Sequence, residues 1–233
     1  MRILALDCSS AMCSACLTED ETVLAEVSLR AFRSHATFLY RCVDQLMVNG
    51  RLGFEDLHGF AVTIGPGSFT GLRIGVAAAK GLAYASGKPL VGVSTLEALA
   101  GNIPYSRLPL VAALDARKNQ LYAARFGPAI HGETARIGPD RVLSPEDRIA
   151  ECRETDTLFV GDGALRYRTL LKEQLGGRAV FAPATAHHVR SPEVARLALG
   201  RISSWRREDL FGLSPNYIRR SEAEIGLDTA RGS

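Results

Sequence analysis

The chain has 233 residues, 46% of them apolar and 23% charged, which excludes disorder or a fibrous repeat and allows one domain or two tightly packed halves. Its 28 basic and 25 acidic residues leave a formal charge of +3, too near balance to demand a nucleic-acid or membrane surface. The uncharged stretch Phe60 to Leu72 is cut by Gly65, Pro66, Gly67 and Gly71 and is too short to span a bilayer, so no membrane association is expected.

Met1-Arg2 leads directly into the strand-like run Ile3-Leu4-Ala5-Leu6 without an apolar signal region, and a cytoplasmic protein is expected. Three strands open the chain, Arg2 to Ser9, Cys13 to Thr18 and Thr22 to Leu29, separated by turn residues. Phe38, Leu39, Cys42, Val43, Leu46 and Met47 recur at helical spacing until Asn49-Gly50 stops them. Phe60 to Ile64 reads as a strand ending in the loop Gly65-Pro66-Gly67-Ser68-Phe69-Thr70-Gly71. A helix of small residues runs on to Ala85. A strand from Leu90 to Val93 follows, and Ser94 caps a short helix with Glu97 at the capping-box position.

The pattern then restarts. Pro109 to Asp115 mirrors Arg2 to Asp7, an apolar strand ending on aspartate, and Gln120 to Phe126 follows as its neighbour, a weak internal duplication. Later segments read as a helix from Ser144, a strand Thr157 to Val160, a helix Ala164 to Leu175, a strand Ala179 to Ala182 and a helix Ser191 to Trp205. Strand meanders mixed with helices give an α/β layering.

The cysteines at positions 8, 13, 16, 42 and 152 are expected to act as small apolar residues, with Cys13 and Cys16 on opposite faces of one strand. None of His35, His58, His131, His187 and His188 lies at metal-ligand spacing, and no metal or cofactor is expected. Asp7 and Asp115 end apolar strands, where open α/β sheets present side chains to ligands. Each either faces a nucleotide phosphate or hydrogen-bonds its own turn.

Gly65 and Gly67 belong to a loop shaped like a phosphate cradle. Leu72-Arg73 stands where a Walker motif needs Lys-Ser or Lys-Thr. Gly67, Gly71, Gly75, Ala79 and Ala83 recur every four residues, with Ala78 and Leu82 beside them. That row is a groove for a second helix or for this chain's own elements.

Leu4-Ala5-Leu6-Asp7, Gly65 to Gly75 (GPGSFTGLRIG), Gly92-Val93-Ser94-Thr95-Leu96, Leu114-Asp115-Ala116-Arg117 and Pro215-Asn216-Tyr217-Ile218-Arg219 together resemble the bacterial TsaB (YeaZ) family. The resemblance implies a duplicated actin-like, Hsp70-like (ASKHA) α/β fold, with two half-domains over residues 1–103 and 104–233. Each half would be a mixed sheet flanked by helices.

It also implies a non-catalytic scaffold in synthesis of N6-threonylcarbamoyladenosine (t6A) in tRNA. That scaffold works with the catalytic relative TsaD and the ATPase TsaE, binds TsaD through helices of the first half, and reaches tRNA through the complex. Phe38, Gly71, Arg73, Gly75, Ala78, Ala79 and Leu82 are then expected at the partner interface, a face that would also support a homodimer. The catalytic relatives carry a metal-binding HxxxH where this chain has Thr95 and Leu99, neither of which replaces an imidazole. The competing functions are an ATPase or phosphotransferase of the same fold, using Asp7 and the glycine loop, and a metallopeptidase. Basic residues Arg206, Arg207, Arg219 and Arg220 either contact tRNA or form a solvated face.

Overall fold

Ile3 to Leu6 offer no polar alternation, and a strand of that kind needs cover on both faces. The computed structural model, which describes residues 1–30, 35–130 and 133–219, provides it. In chain order the first strands are β1 (Arg2–Asp7), β2 (Met12–Glu19), β3 (Thr22–Arg30), β4 (Gly59–Gly65) and β5 (Leu90–Ser94). In space they run β3-β2-β1-β4-β5, with β1 central, antiparallel to β2 and parallel to β4.

The second sheet repeats the plan. Strands β6 (Leu110–Arg117), β7 (Gln120–Ile130), β8 (Glu133–Leu143), β9 (Thr157–Val160) and β10 (Ala179–Phe181) lie in the order β10-β9-β6-β7-β8. In each sheet an antiparallel meander of three strands is extended by two parallel ones on the far side of the first strand. The weak sequence echo between Asp7 and Asp115 is therefore a duplication of architecture, and the whole has the actin-like ASKHA arrangement.

Helices fill three layers around these sheets. Against the outer face of the first sheet lie α1 (His35–Gly50) and α2 (Phe69–Ser86). Between the sheets is α3 (Thr95–Gly101), which faces the second sheet. The outer face of the second sheet is covered by α4 (Pro145–Cys152), α5 (Asp162–Arg166) and α6 (Arg168–Leu175). The chain then returns to the middle layer as α7 (Ser191–Ile202), and α8 (Arg207–Gly212) follows against α2.

The middle layer qualifies the expected division at residue 103. Helix α7 belongs to the second half by sequence, yet it packs on β1, β2, β4 and β5. Val194, Ala195, Ala198 and Ile202 join Ile3, Ala5 and Ala61 in one cluster that also takes in Leu110, Ala112 and Phe126. Residues of both sheets thus share one core cluster. Interlayer hydrogen bonds from Ser191 to Ser14 and from Arg190 to Glu26 tie α7 and its approach to the first sheet.

Cys13 lies in the outer cluster and Cys16 in the middle one, the opposed faces that their strand spacing requires, and all five cysteines are buried and free. Two elements depart from the expected pattern. The expected helix 164–175 is broken at Tyr167, whose φ of −103° and ψ of 19° separate α5 from α6. Strand β8 pairs only with β7, and as an edge strand it accommodates Gly138-Pro139. Among the described residues no helix is long and apolar enough to cross a membrane.

Candidate functional site

The glycine loop begins where β4 ends. Gly65 has φ +118°, and a Cβ there would sit 2.7 Å from the Asn216 carbonyl oxygen. The next glycines are pressed just as closely against the turn that follows β1. A Cβ on Gly67 would lie 2.3 Å from the Ser9 carbonyl oxygen, and one on Gly71 would lie 2.0 Å from that of Cys8. Ser68 donates its backbone N–H to Ser9 O at 2.7 Å, and its Oγ caps α2 by accepting from Gly71 N at 3.3 Å. These glycines are needed because backbone meets backbone.

The C-terminal segment covers the remaining side. Asn216 N donates to Ile64 O at 2.6 Å, the Tyr217 and Phe69 rings lie 4.7 Å apart, and Arg73 Nε donates to Tyr217 Oη at 3.1 Å. Arg73 also stacks 3.9 Å over Phe69. Lys80 Nζ donates to the carbonyls of Phe211 and Leu213, anchoring α8 and the segment after it. The backbone at Gly65 and Gly67 is thus pressed closely against the carbonyl oxygens of Asn216 and Ser9.

The two strand-end aspartates differ. Asp7 is fully buried, and its Oδ1 accepts from Ser9 N at 3.1 Å and from Thr63 Oγ1 at 2.7 Å. Asp115 holds its own turn: Oδ1 accepts from Arg117 N at 2.9 Å, while Oδ2 pairs with Arg117 and Arg166. Each carboxylate thus accepts from a backbone N–H of its own turn.

Asp115 N donates to Asp162 Oδ1 at 3.1 Å. Burial pushes the Asp162 carboxyl above its ordinary value, against the lowering effect of that N–H. A raised folded-state value means the native chain holds this proton more tightly than the unfolded chain does. Stability contributed here falls as pH rises from about 4 through the raised value. Asp162→Asn keeps the acceptor and removes the titration. Urea unfolding at pH 4 and pH 7 should show a smaller loss in the variant than in the unsubstituted chain, and equal losses would contradict this.

The small-residue row of α2 also faces inward. Gly71, Gly75, Ala78, Ala79 and Ala83 are buried, and a Cβ on Gly75 would touch Cys8 Cβ at 3.5 Å and Val62 Cγ2 at 3.6 Å. Of the residues expected at a partner interface, Gly71, Gly75, Ala78 and Ala79 are thus buried within this chain. Phe38 and Leu82 are half-buried, and Arg73 is exposed but engaged with Phe69 and Tyr217.

The solvent face of α2 carries different residues: Ala77, Gly81 and Ala85 at four-residue spacing, and Tyr84 at 66% exposure. Gly81 has nothing within 4 Å of the place a Cβ would occupy. On the neighbouring α1, Tyr40 and Val48 are 57% and 67% exposed. Sequence reasoning found the helix and its small residues but selected the buried face.

Thr95 and Leu99 lie in the middle layer with no exposed surface. Among the described residues no group of three His, Cys, Asp or Glu side chains is placed to hold a metal ion. His187 is buried and hydrogen-bonded on both ring nitrogens, with Nδ1 accepting from Gly161 N at 3.1 Å and Nε2 donating to Ala182 O at 2.9 Å. His131, Arg220 and the His35 side chain lie outside the described residues.

Residues 29–227 match the family model described as TsaD: tRNA N6-adenosine threonylcarbamoyltransferase. The chain is 31% identical over 226 residues to the tRNA threonylcarbamoyladenosine biosynthesis protein TsaB of Bacillus subtilis (strain 168), covering 96% of each chain. It is similar to the solved structure of YeaZ from Pseudomonas aeruginosa with a TM-score of 0.77 and 27% identity, over 93% of this chain and 99% of that one. A more distant structure, component A of the (R)-2-hydroxyglutaryl-CoA dehydratase of Acidaminococcus fermentans, shares the fold alone. Its TM-score is 0.52 at 12% identity, over 87% of this chain and 99% of that one.

Proposed function

The chain belongs to the TsaB (YeaZ) family, and on that premise we propose that it is a non-catalytic scaffold for t6A synthesis in tRNA. It binds a TsaD-type catalytic subunit and acts with a TsaE-type ATPase. The observation that carries this reading is the uncovered face of α1 and α2. Among the described residues, Tyr40 and Val48 stand exposed on α1, and Tyr84, whose ring meets Phe211 edge-on at 6.4 Å, stands exposed on α2 with Ala77, Gly81 and Ala85, whose small side chains let a partner helix approach closely. Supporting it, Asp7 and the glycine loop are occupied by contacts within the chain, and Thr95 and Leu99 supply no metal ligand. In the absence of the catalytic subunit the same face supports a homodimer.

Reconstitution of the modification from purified TsaD-type and TsaE-type subunits, with and without this chain, tests the proposal. Modification should depend on the chain, while the isolated chain should release no phosphate from ATP. Full modification without it, or ATP turnover by the chain alone, would reject the scaffold role.

A further inference from the structure

A two-residue hairpin turn that matches the twist of its strands needs positive φ at both central residues, and Asn-Gly is the sequence that meets this at least cost. The turn between β6 and β7 has Lys118 and Asn119 at those places, with φ of 50° and 54°, and Arg117 before them has φ 60°. Left-handed backbone is unfavourable for long side chains. Two of the three positions nevertheless carry basic residues, and Arg117, Lys118 and Asn119 are all exposed.

Further cations meet the same turn. Arg166, from the end of α5, shares Asp115 Oδ2 with Arg117, at 3.2 Å and 3.3 Å. Arg219 Nη1 donates to Ala116 O at 3.1 Å and Gln120 Oε1 at 3.0 Å, bracing the turn from the C-terminal segment. Carboxylates that meet it among the described residues include Asp115, with 11% of its side chain exposed, and the partly buried Asp162. Burial shifts Asp162 toward its neutral form. Among the described residues, these four basic side chains thus meet two carboxylates that are largely turned inward, a local excess of positive charge.

We infer that this turn contacts the phosphate backbone of RNA, with Arg117, Lys118 and Arg166 as the contacting side chains and Arg219 as the brace. The inference rests on the scaffold reading above and adds a place where the chain itself would touch the tRNA. Guanidinium and ammonium groups on a protruding two-residue turn suit phosphodiester oxygens, and such contacts position RNA without reading its sequence.

The test uses the complex of this chain with its catalytic subunit and fluorescently labelled tRNA. The double variant Arg117→Gly, Lys118→Asn removes two charges and installs residues that suit left-handed backbone, so it should melt at or above the temperature of the unsubstituted chain. Its affinity for tRNA should fall about tenfold near 0.1 M salt, and the slope of log K against log salt should become shallower by about 2. Arg166→Gln should shift the slope in the same direction by about 1.

Unchanged affinity and slope in the double variant would overturn the inference. So would binding by the unsubstituted complex to anionic phosphatidylserine vesicles in preference to tRNA. If the unsubstituted complex modifies tRNA while the turn variants bind it normally, only this inference fails. If modification does not require the chain at all, the scaffold reading fails with it.

Discussion

Gly71→Ala should destabilise the chain by about 3 kcal/mol, whereas Gly81→Ala, ten residues along the same helix, should stabilise it by about 0.8 kcal/mol. Both glycines lie on α2 and both changes add one methyl group. At position 71 that methyl would come within 2.0 Å of the Cys8 carbonyl oxygen, a backbone atom that cannot move aside without shifting the end of β1. At position 81 it would meet nothing within 4 Å, and only the intrinsic helix preference for alanine remains. Chemical denaturation of the two variants measures both signs. Equal effects would mean that the helix is not seated on the turn after β1 as described.

Partner binding should respond in the opposite sense to burial. Tyr84→Ala removes an aromatic side chain that is 66% exposed, and Gly81→Arg places a long cation beside it in open space. Neither should unfold the chain, although Tyr84→Ala also removes the edge-on ring contact with Phe211. Each should weaken capture of the TsaD-type subunit by about 2 kcal/mol or more, the scale at which a central aromatic contact or a close helix approach is lost. Gly75→Arg, by contrast, would drive a guanidinium toward Cys8 and Val62 and should unfold the chain, so loss of binding in that variant would say nothing about the interface.

The difference between those faces marks the limit of what the sequence discloses. A four-residue recurrence of Gly and Ala shows that one side of α2 is narrow. It does not show whether the narrow side meets a strand of the same chain or a helix of another. Burial decides it: the Gly71-Gly75-Ala79 row lies on the first sheet, and the Ala77-Gly81-Ala85 row lies outside.

The strand ends were more legible. The apolar runs of β1 and β6 announced strands, and the aspartates closing them could be placed at their turns, though each carboxylate also takes a partner from far along the chain. Thr63 is 56 residues from Asp7 in sequence, and Arg166 is 51 from Asp115. Strand β8 carried no readable pattern because an edge strand exposes most of its side chains and tolerates Gly138-Pro139. The return of α7 to the first sheet was hidden for another reason: its apolar face specifies burial, while its location depends on which sheet face is left uncovered.

The outward face of α1 and α2 as the scaffold's docking surface is tested most directly by calorimetric titration of the TsaD-type subunit into the Gly81→Arg chain, with its thermal unfolding recorded in parallel. Loss of the binding heat with an unchanged or higher melting temperature is the expected result. Binding with the affinity of the unsubstituted chain would contradict it.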